Sequence, residues 1–296
     1  MCFGFKSHLL LPFLFGFFLT LEVKSQGVLK GSIIDLSTNI GVPFATVGLT
    51  KANKGTNTDE YGNFIITNSI YSNDTLLISC VGYENYKIAV NSLSHPITIK
   101  LKEKTSKLEE VIIYTNLKSS KWLDNYSTCG NNWFTSSGTT ALIAKHFHSP
   151  FSKALLTEIK LCKMSGKSLF RIRVFDFDTI LLKPSLDLID TIIEVKTRDK
   201  HVSINLKEYN IIIPQKDFFV AIEWLCIPYN ENKMKIKTGG RQVAITQFSP
   251  ELAIRYSKDR TGDDNNIPQT WQYDYRGKWN PAGLNMQIVM SVKLEY

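Results

Sequence analysis

The chain has 296 residues, of which 43% are hydrophobic, 11% aromatic and 21% charged, with a formal net charge of +8. Those fractions belong to a globular protein and exclude disorder, a collagen-like fibre and a coiled coil. The length suits two domains or one large one, and it is too short for a transporter barrel of about 22 strands.

Residues 1–25 read as a secretory signal peptide. Lys6 and His8 precede the apolar run Leu9–Leu21, and Val23-Lys24-Ser25 sets up a cleavage site before Gln26. The run is about 13 residues, short of the roughly 20 that a spanning helix needs, so cleavage is expected rather than retention as an anchor. No Cys stands at the cleavage point, so a lipoprotein anchor is not indicated. Loss of Lys6, Lys24 and Glu22 lowers the charge from +8 to +7. The remaining lysines are scattered in ones and twos, a solvated basic surface rather than a nucleic-acid-binding arm. No later segment is long and apolar enough to span a bilayer, so the mature chain is expected to be exported, without a transmembrane segment.

Residues 26–115 read as strands and turns. Val28–Ile34, Phe44–Leu49, Phe64–Thr67, Thr75–Cys80, Tyr86–Val90 and Ile97–Leu101 are short β-rich runs separated by Gly, Asn, Asp or Pro. Five blocks stand out in order. They are Gly31-Ser-Ile-Ile-Asp35 with Gly41-Val-Pro-Phe-Ala45-Thr-Val47, then Gly55-Thr-Asn-Thr58-Asp59-Glu-Tyr-Gly62-Asn-Phe64, Ser79-Cys-Val-Gly82-Tyr83-Glu84, Ile97-Thr-Ile-Lys-Leu101 and Leu108-Glu-Glu-Val-Ile-Ile113. This series resembles the carboxypeptidase-regulatory-like domain. The resemblance implies a seven-stranded, transthyretin-like β-sandwich, found in exported proteins of Gram-negative bacteria and at the N-terminus of many TonB-dependent receptors. The plug and barrel of such a receptor are missing here.

The motif residues have a structural logic. Asp59 suits hydrogen bonds to the backbone ahead of it, Gly62 suits a positive φ, and Phe64 starts the next strand with a core side chain. Gly82 and Tyr83 pair a permissive bend with a large amphipathic ring. The family label comes from an accessory domain of zinc carboxypeptidases, not from their catalytic domain. A zinc peptidase needs His and Glu ligands with a carboxylate base, and the mature sequence offers His95, His146, His148 and His201 without HxxE or HExxH. His146-Phe-His148 is the single close pair, too few donors for a metal site by themselves. No catalytic residue and no metal ligand is assigned.

Residues 116–150, rich in Ser, Thr, Asn and Gly at their start, read as a connector. Residues 151–296 return to strands. Phe170, Ile172 and Val174 alternate with Arg171 and Arg173, and Met286–Leu294 alternates except at Val289. Phe218–Pro228 is apolar on both faces apart from Glu223, as in a central strand. About nine strands are expected, adding Ile159–Lys163, Ile192–Thr197, His201–Asn205, Ala253–Ser257 and Trp271–Tyr275, in a larger jelly-roll-like β-sandwich. The whole chain is therefore expected to be all-β. Phe170–Phe175, Val202–Leu206, Phe218–Trp224 and Gly277-Lys-Trp279 also resemble, loosely, the jelly-roll modules appended to exported bacterial proteins.

Chemistry is sparse in this part. GxSxG is absent, and no Cys lies near a His in sequence. Asp176 and Asp178 share one face and form a carboxylate pair of the kind a glycoside hydrolase uses, or simply a solvated strand end. Asp259–Asn266 is an oxygen-rich loop that suits structural calcium, without the EF-hand spacing; otherwise no cofactor is expected. Cys80, Cys129, Cys162 and Cys226 allow three disulfide pairings, with buried free thiols as the alternative for Cys162 and Cys226.

The most informative segment is Trp271-Gln-Tyr273-Asp-Tyr275-Arg-Gly-Lys-Trp279. Alternation places Trp271, Tyr273 and Tyr275 on one side, near Trp279 across a turn. Such a row stacks on sugar rings if exposed, or fills a sandwich core if buried. The expectation is an exported, non-catalytic protein of the periplasm, outer membrane or cell surface. Its first domain is structural or docking, and its second binds envelope proteins or glycans, without nucleic acid. A carbohydrate-binding module at Trp271–Trp279 and a hydrolase with an unrecognised site are the alternatives.

Overall fold

The computed structural model describes residues 27–67, 73–104, 119–164, 166–256, 267–283 and 285–296. Among them the chain is all-β, with 23 strands and three single-turn 3-10 helices. The signal-peptide segment, Leu108–Ile113 and the calcium-loop candidate Asp259–Asn266 lie outside the described residues, as does the expected boundary near residue 116.

The first sandwich holds seven strands: β1 (Val28–Asp35), β2 (Thr46–Leu49), β3 (Lys54–Asn57), β4 (Asn63–Thr67), β5 (Thr75–Ser79), β6 (Tyr86–Ala89) and β7 (Ile97–Leu101). They form a three-stranded sheet, β4-β1-β7, facing a four-stranded sheet, β3-β2-β5-β6. β1 runs parallel to β7, and the other pairings are antiparallel. Strict alternation in β4 and β7 buries Phe64, Ile66, Ile97, Ile99 and Leu101 beside Ile33, Val47, Leu49, Leu76 and Ile78. Strand β3 has no apolar run to reveal it; Gly55 sits opposite Gly48 on β2.

The tight turn before β4 follows the motif. Asp59 Oδ1 accepts the backbone N–H groups of Tyr61 and Asn63, at 2.9 and 2.8 Å. Gly62 has φ +83°, and a Cβ there would lie 2.4 Å from the carbonyl oxygen of Ile33. Phe64 is buried in the core. Gly82 likewise has φ +81°, and Tyr83 packs against the same core. Burial and the neighbouring Asp35 carboxylate push the Tyr83 hydroxyl up to about 12.

The second part is larger. β8 (Ser120–Leu123), β9 (Asn132–Ser136), β10 (Thr140–His148), β11 (Ala154–Cys162), β12 (Ser168–Asp178), β13 (Lys183–Asp187), β14 (Ile193–Thr197) and β15 (His201–Asn205) make its first half. β16 (Ile211–Ile213), β17 (Asp217–Trp224), β18 (Glu231–Thr238), β19 (Arg241–Tyr256), β20 (Thr270–Asp274), β21 (Trp279–Pro281), β22 (Met286–Ile288) and β23 (Met290–Glu295) complete it. A seven-stranded sheet, β13-β12-β17-β10-β20-β21 with β14 on β12, faces a five-stranded sheet, β15-β11-β23-β8 with β16 on β11. Between them lies the main core, including Ile143, Phe147, Phe170, Ile172, Phe218, Ile222 and Trp224 against Leu156, Ile159, Leu161, Met290 and Val292. A third sheet, β18-β19-β22 with β9 on β19, closes one side.

Three expectations are corrected. The 116–150 connector contributes β8, β9 and β10, and β10 is a central strand buried along eight of its nine residues. Its polar entry, Asn131 to Thr140, hides an apolar run, Ala141–Ala144, that is only four residues long. The described residues of the second part hold sixteen strands rather than about nine, because many are short and polar. The Met286–Leu294 alternation is cut at Val289, where β22 joins one sheet and β23 another.

Candidate functional site

The seven-stranded sheet has two apolar faces. One closes the main core, while the other carries Ala144, Phe175, Phe177, Phe219, Ala221 and Trp271 outward. Part of that outer face is covered by the first sandwich. Arg171 on β12 is buried, at 1% exposure. Its guanidinium donates to the carbonyl oxygens of Phe44 and Pro43 in the first sandwich, at 3.1 and 3.4 Å, and to Glu194 Oε1 at 2.9 and 3.0 Å. Burial works against the charge of Arg171, but the carboxylates of Glu223 and Glu194 outweigh it and push its pKa up. Glu223 on β17, also buried, accepts from the Thr46 hydroxyl at 3.1 Å and pairs with Arg173 at 3.3 Å. Arg173 pairs in turn with Asp187.

Asn57 threads the same joint. Its side-chain oxygen accepts the N–H of Cys226 at 2.7 Å, and its amide donates to Phe44 O and Thr46 Oγ1. The Thr56 hydroxyl donates to the carbonyl of Cys226 at 3.2 Å. Paired charges and matched donors satisfy groups that would otherwise be costly to bury.

Tyr275 is the anchor of this joint. Its ring lies on the Gly48–Gly55 pair of β2 and β3, where a Cβ at Gly55 would stand 2.1 Å from ring atoms and one at Gly48 2.8 Å. The Tyr275 N–H donates to Asn53 Oδ1 at 3.1 Å, and its hydroxyl lies 3.4 Å from Cys226 Sγ. Burial pushes the Cys226 thiol up to about 11 and the Tyr275 hydroxyl well above its ordinary 10.0.

The four rings of the aromatic segment, a platform if exposed and core if buried, divide between the two. Trp271 and Tyr275 are buried, at 7% and 2% exposure. Trp271 packs in the outer cluster, with its indole N–H on Pro268 O. Tyr275 lies one residue beyond β20, so strand alternation no longer sets its direction. Tyr273 and Trp279 stay partly exposed, with ring centroids 5.1 Å apart and a 55° tilt, and Phe175 meets Trp279 edge-on at 5.2 Å. Asp274 is occupied by the hairpin: it accepts from the N–H groups of Arg276 and Lys278 and from the Asn280 amide.

The candidate acids are spent on local structure. Asp178 Oδ1 accepts the N–H groups of Ile180 and Leu181, and these bonds hold its carboxyl below the usual range. Asp176 accepts from Phe177 N and the Gln215 amide. His146 and His148 both reach Asp217 Oδ1 at 2.9 Å, His146 buried against Phe177 and Phe219. Cys129 and Cys162 form a disulfide, with Cα atoms 5.7 Å apart, while Cys80 and Cys226 are free and buried. His201 lies 3.7 Å from Cys129 Sγ.

No sequence motif marks Arg171, Glu223, Asn57, Gly48 or Gly55 as residues of a joint. One signal was available: Glu223 is the lone charge in the apolar run from Phe218 to Pro228, which demands a buried partner.

Residues 29–113 match the family of the CarboxypepD_reg-like domain. No curated protein matches the chain. Among solved structures, the clostridial cysteine protease Cwp84 after propeptide cleavage is similar at 10% identity and a TM-score of 0.36, over 85% of this chain and 65% of that one. A structure of infectious bursal disease virus, Gt strain, gives 10% identity and 0.19, over 90% of this chain and 64% of that one. The chain thus spans just under two thirds of either, and likeness at this level carries no inference about fold or activity. The family match stands on the first sandwich alone, whose seven strands and Asp59–Phe64 turn are described above: residues 29–113 are a CarboxypepD_reg-like domain, a β-sandwich of regulatory rather than catalytic type.

Proposed function

We propose that the chain is an exported, non-catalytic protein of the bacterial cell envelope or surface, in which the first sandwich is a docking domain fixed onto a binding domain. The observation that carries this reading is the joint itself. Arg171, Glu223, Asn57 and Tyr275 lock a regulatory-type domain over part of the outer face of the seven-stranded sheet. Beside it Tyr273 and Trp279 are partly exposed, with the buried Phe175 edge-on to Trp279. A partner or ligand meeting that surface touches a fixed composite of both domains. Zinc peptidase chemistry has no support in the His and carboxylate arrangement described, and export rests on the signal-like residues 1–25.

A second reading is glycan binding, favoured by the Tyr273–Trp279 pair, since partly exposed rings stack on sugars. Purified protein on a bacterial and plant glycan array tests both. Retention of a glycan that is lost in Trp279→Ala, with an unchanged melting temperature, establishes the sugar reading. A blank array, followed by crosslinking of envelope proteins through the Trp279 face in native cells, supports the docking reading. Recovery of the protein from the cytoplasm after fractionation overturns both.

A further inference from the structure

Among the described residues, Cys129, Cys162 and His201 bring three donor atoms of metal-ligand type within 4.8 Å of one another. No sequence spacing announces them, because the fold assembles the set from three places. Cys162 ends β11 and His201 begins β15, and the two are cross-strand partners at the end of that pairing. Cys129 comes from the loop between β8 and β9. The loop is held by Arg255, which donates to the carbonyl and hydroxyl oxygens of Thr128, and by Gly130 at φ +75°. Cys162 is fully buried among Ala253, Val289, Tyr126 and Met164, whereas His201 is open to solvent.

The spacing fits a bridging ion. With Zn–S about 2.3 Å and Zn–N about 2.0–2.1 Å, tetrahedral coordination separates sulfur from nitrogen by roughly 3.6 Å. Cys129 Sγ lies 3.7 Å from His201 Nδ1 and 3.8 Å from Nε2. Cys162 Sγ lies within 4.8 Å of His201, and the two sulfurs have to part to about 3.8 Å in the same geometry.

We propose that Cys129, Cys162 and His201 form a thiol-controlled site for a soft divalent cation of the zinc class. As the disulfide the site is closed, since its sulfurs have no thiolate charge to give. An external dithiol reductant delivers two electrons and two protons, becomes a disulfide itself, and leaves Cys129 and Cys162 as thiols. Binding of the cation then expels the two thiol protons, and neutral His201 supplies a nitrogen lone pair. Two thiolates balance the 2+ charge in a half-buried setting, and solvent on the His201 side supplies the fourth ligand.

Cobalt(II) titration of the full-length protein tests this, with a phosphine as laboratory reductant because it adds no competing thiol. Reduced protein is expected to bind one Co2+ with a thiolate-to-cobalt charge-transfer band, and oxidised protein none. His201→Gln should weaken binding at least tenfold, while its oxidised form melts at the wild-type temperature. Should reduction alone unfold the chain, refolding on addition of Zn2+ supports the site. Absence of the band in reduced protein, equal affinity in His201→Gln, equal binding by the disulfide form, or failure of Zn2+ to refold a reduced chain overturns it.

Discussion

Gly48 and Gly55 are the two residues on which the joint is most exacting. Each presents bare backbone to the Tyr275 ring, and the distances left for a Cβ are far inside van der Waals contact. Gly55→Ala is therefore expected to destabilise the protein by about 1–3 kcal/mol, the usual cost of overpacking a close-packed site. Gly82→Ala provides the control: it strains a positive φ but meets nothing within 4 Å. Equilibrium denaturation of the two variants separates a packing cost from a backbone cost; equal losses would show that Tyr275 yields. Alkali tests the same spot. Cys226 is held at about 11 against an ordinary 9.0, and Tyr275 is raised as well. The folded state keeps protons that the unfolded state releases, so stability is fully present below pH 9 and falls as pH rises through 11. Cys226→Ala should flatten that fall in denaturation curves taken from pH 8 to 11.

Among the elements, β10 and β3 show where the sequence was legible and where it was not. Strands with period-two alternation or a long apolar run were readable, as with Ile97–Leu101, His201–Asn205 and the centre of β17. β10 escaped because Thr140, Lys145, His146 and His148 interrupt it, although every residue from Thr140 to Phe147 is buried. Its polar members find partners: Lys145 donates to the carbonyl of Met290 at 2.8 Å and pairs with Asp124. β3 escaped because its inner residues are glycine and threonine, chosen to fit a ring from elsewhere. Phe147→Ala is expected to cost about 3–5 kcal/mol, the range for a buried phenylalanine. A connector residue would lose no more than about 0.5 kcal/mol, so a single denaturation curve decides between the two descriptions. The aromatic segment was readable as important and not as to direction, since Tyr275 lies just past the strand end where alternation stops.

At the scale of the whole molecule, the joint predicts how the two sandwiches melt. Its charged groups Arg171 and Glu223 are buried and hydrogen-bond neutral groups across the boundary, and Arg171 alone serves two carbonyls of one side and Glu194 of the other. Removing one partner of a buried charged set typically costs about 3–5 kcal/mol. Wild-type protein is expected to show one calorimetric transition, and Arg171→Met two, as the sandwiches separate before either unfolds. Two transitions in the wild type would mean that the joint is weaker than its geometry. Beyond the lone Glu223, none of this coupling is visible in the sequence, because its members are spread from residue 43 to residue 275 and share no local pattern.

The Gly48–Gly55 floor also sets a rule for recombination. A different domain placed ahead of β8 would have to offer Tyr275 a flat landing. Any substitute with side chains at those two facing positions would hang loose from the second sandwich, folded but undocked. The glycine pair thus works as a compatibility code between modules, one that a chimera inherits only by carrying both residues.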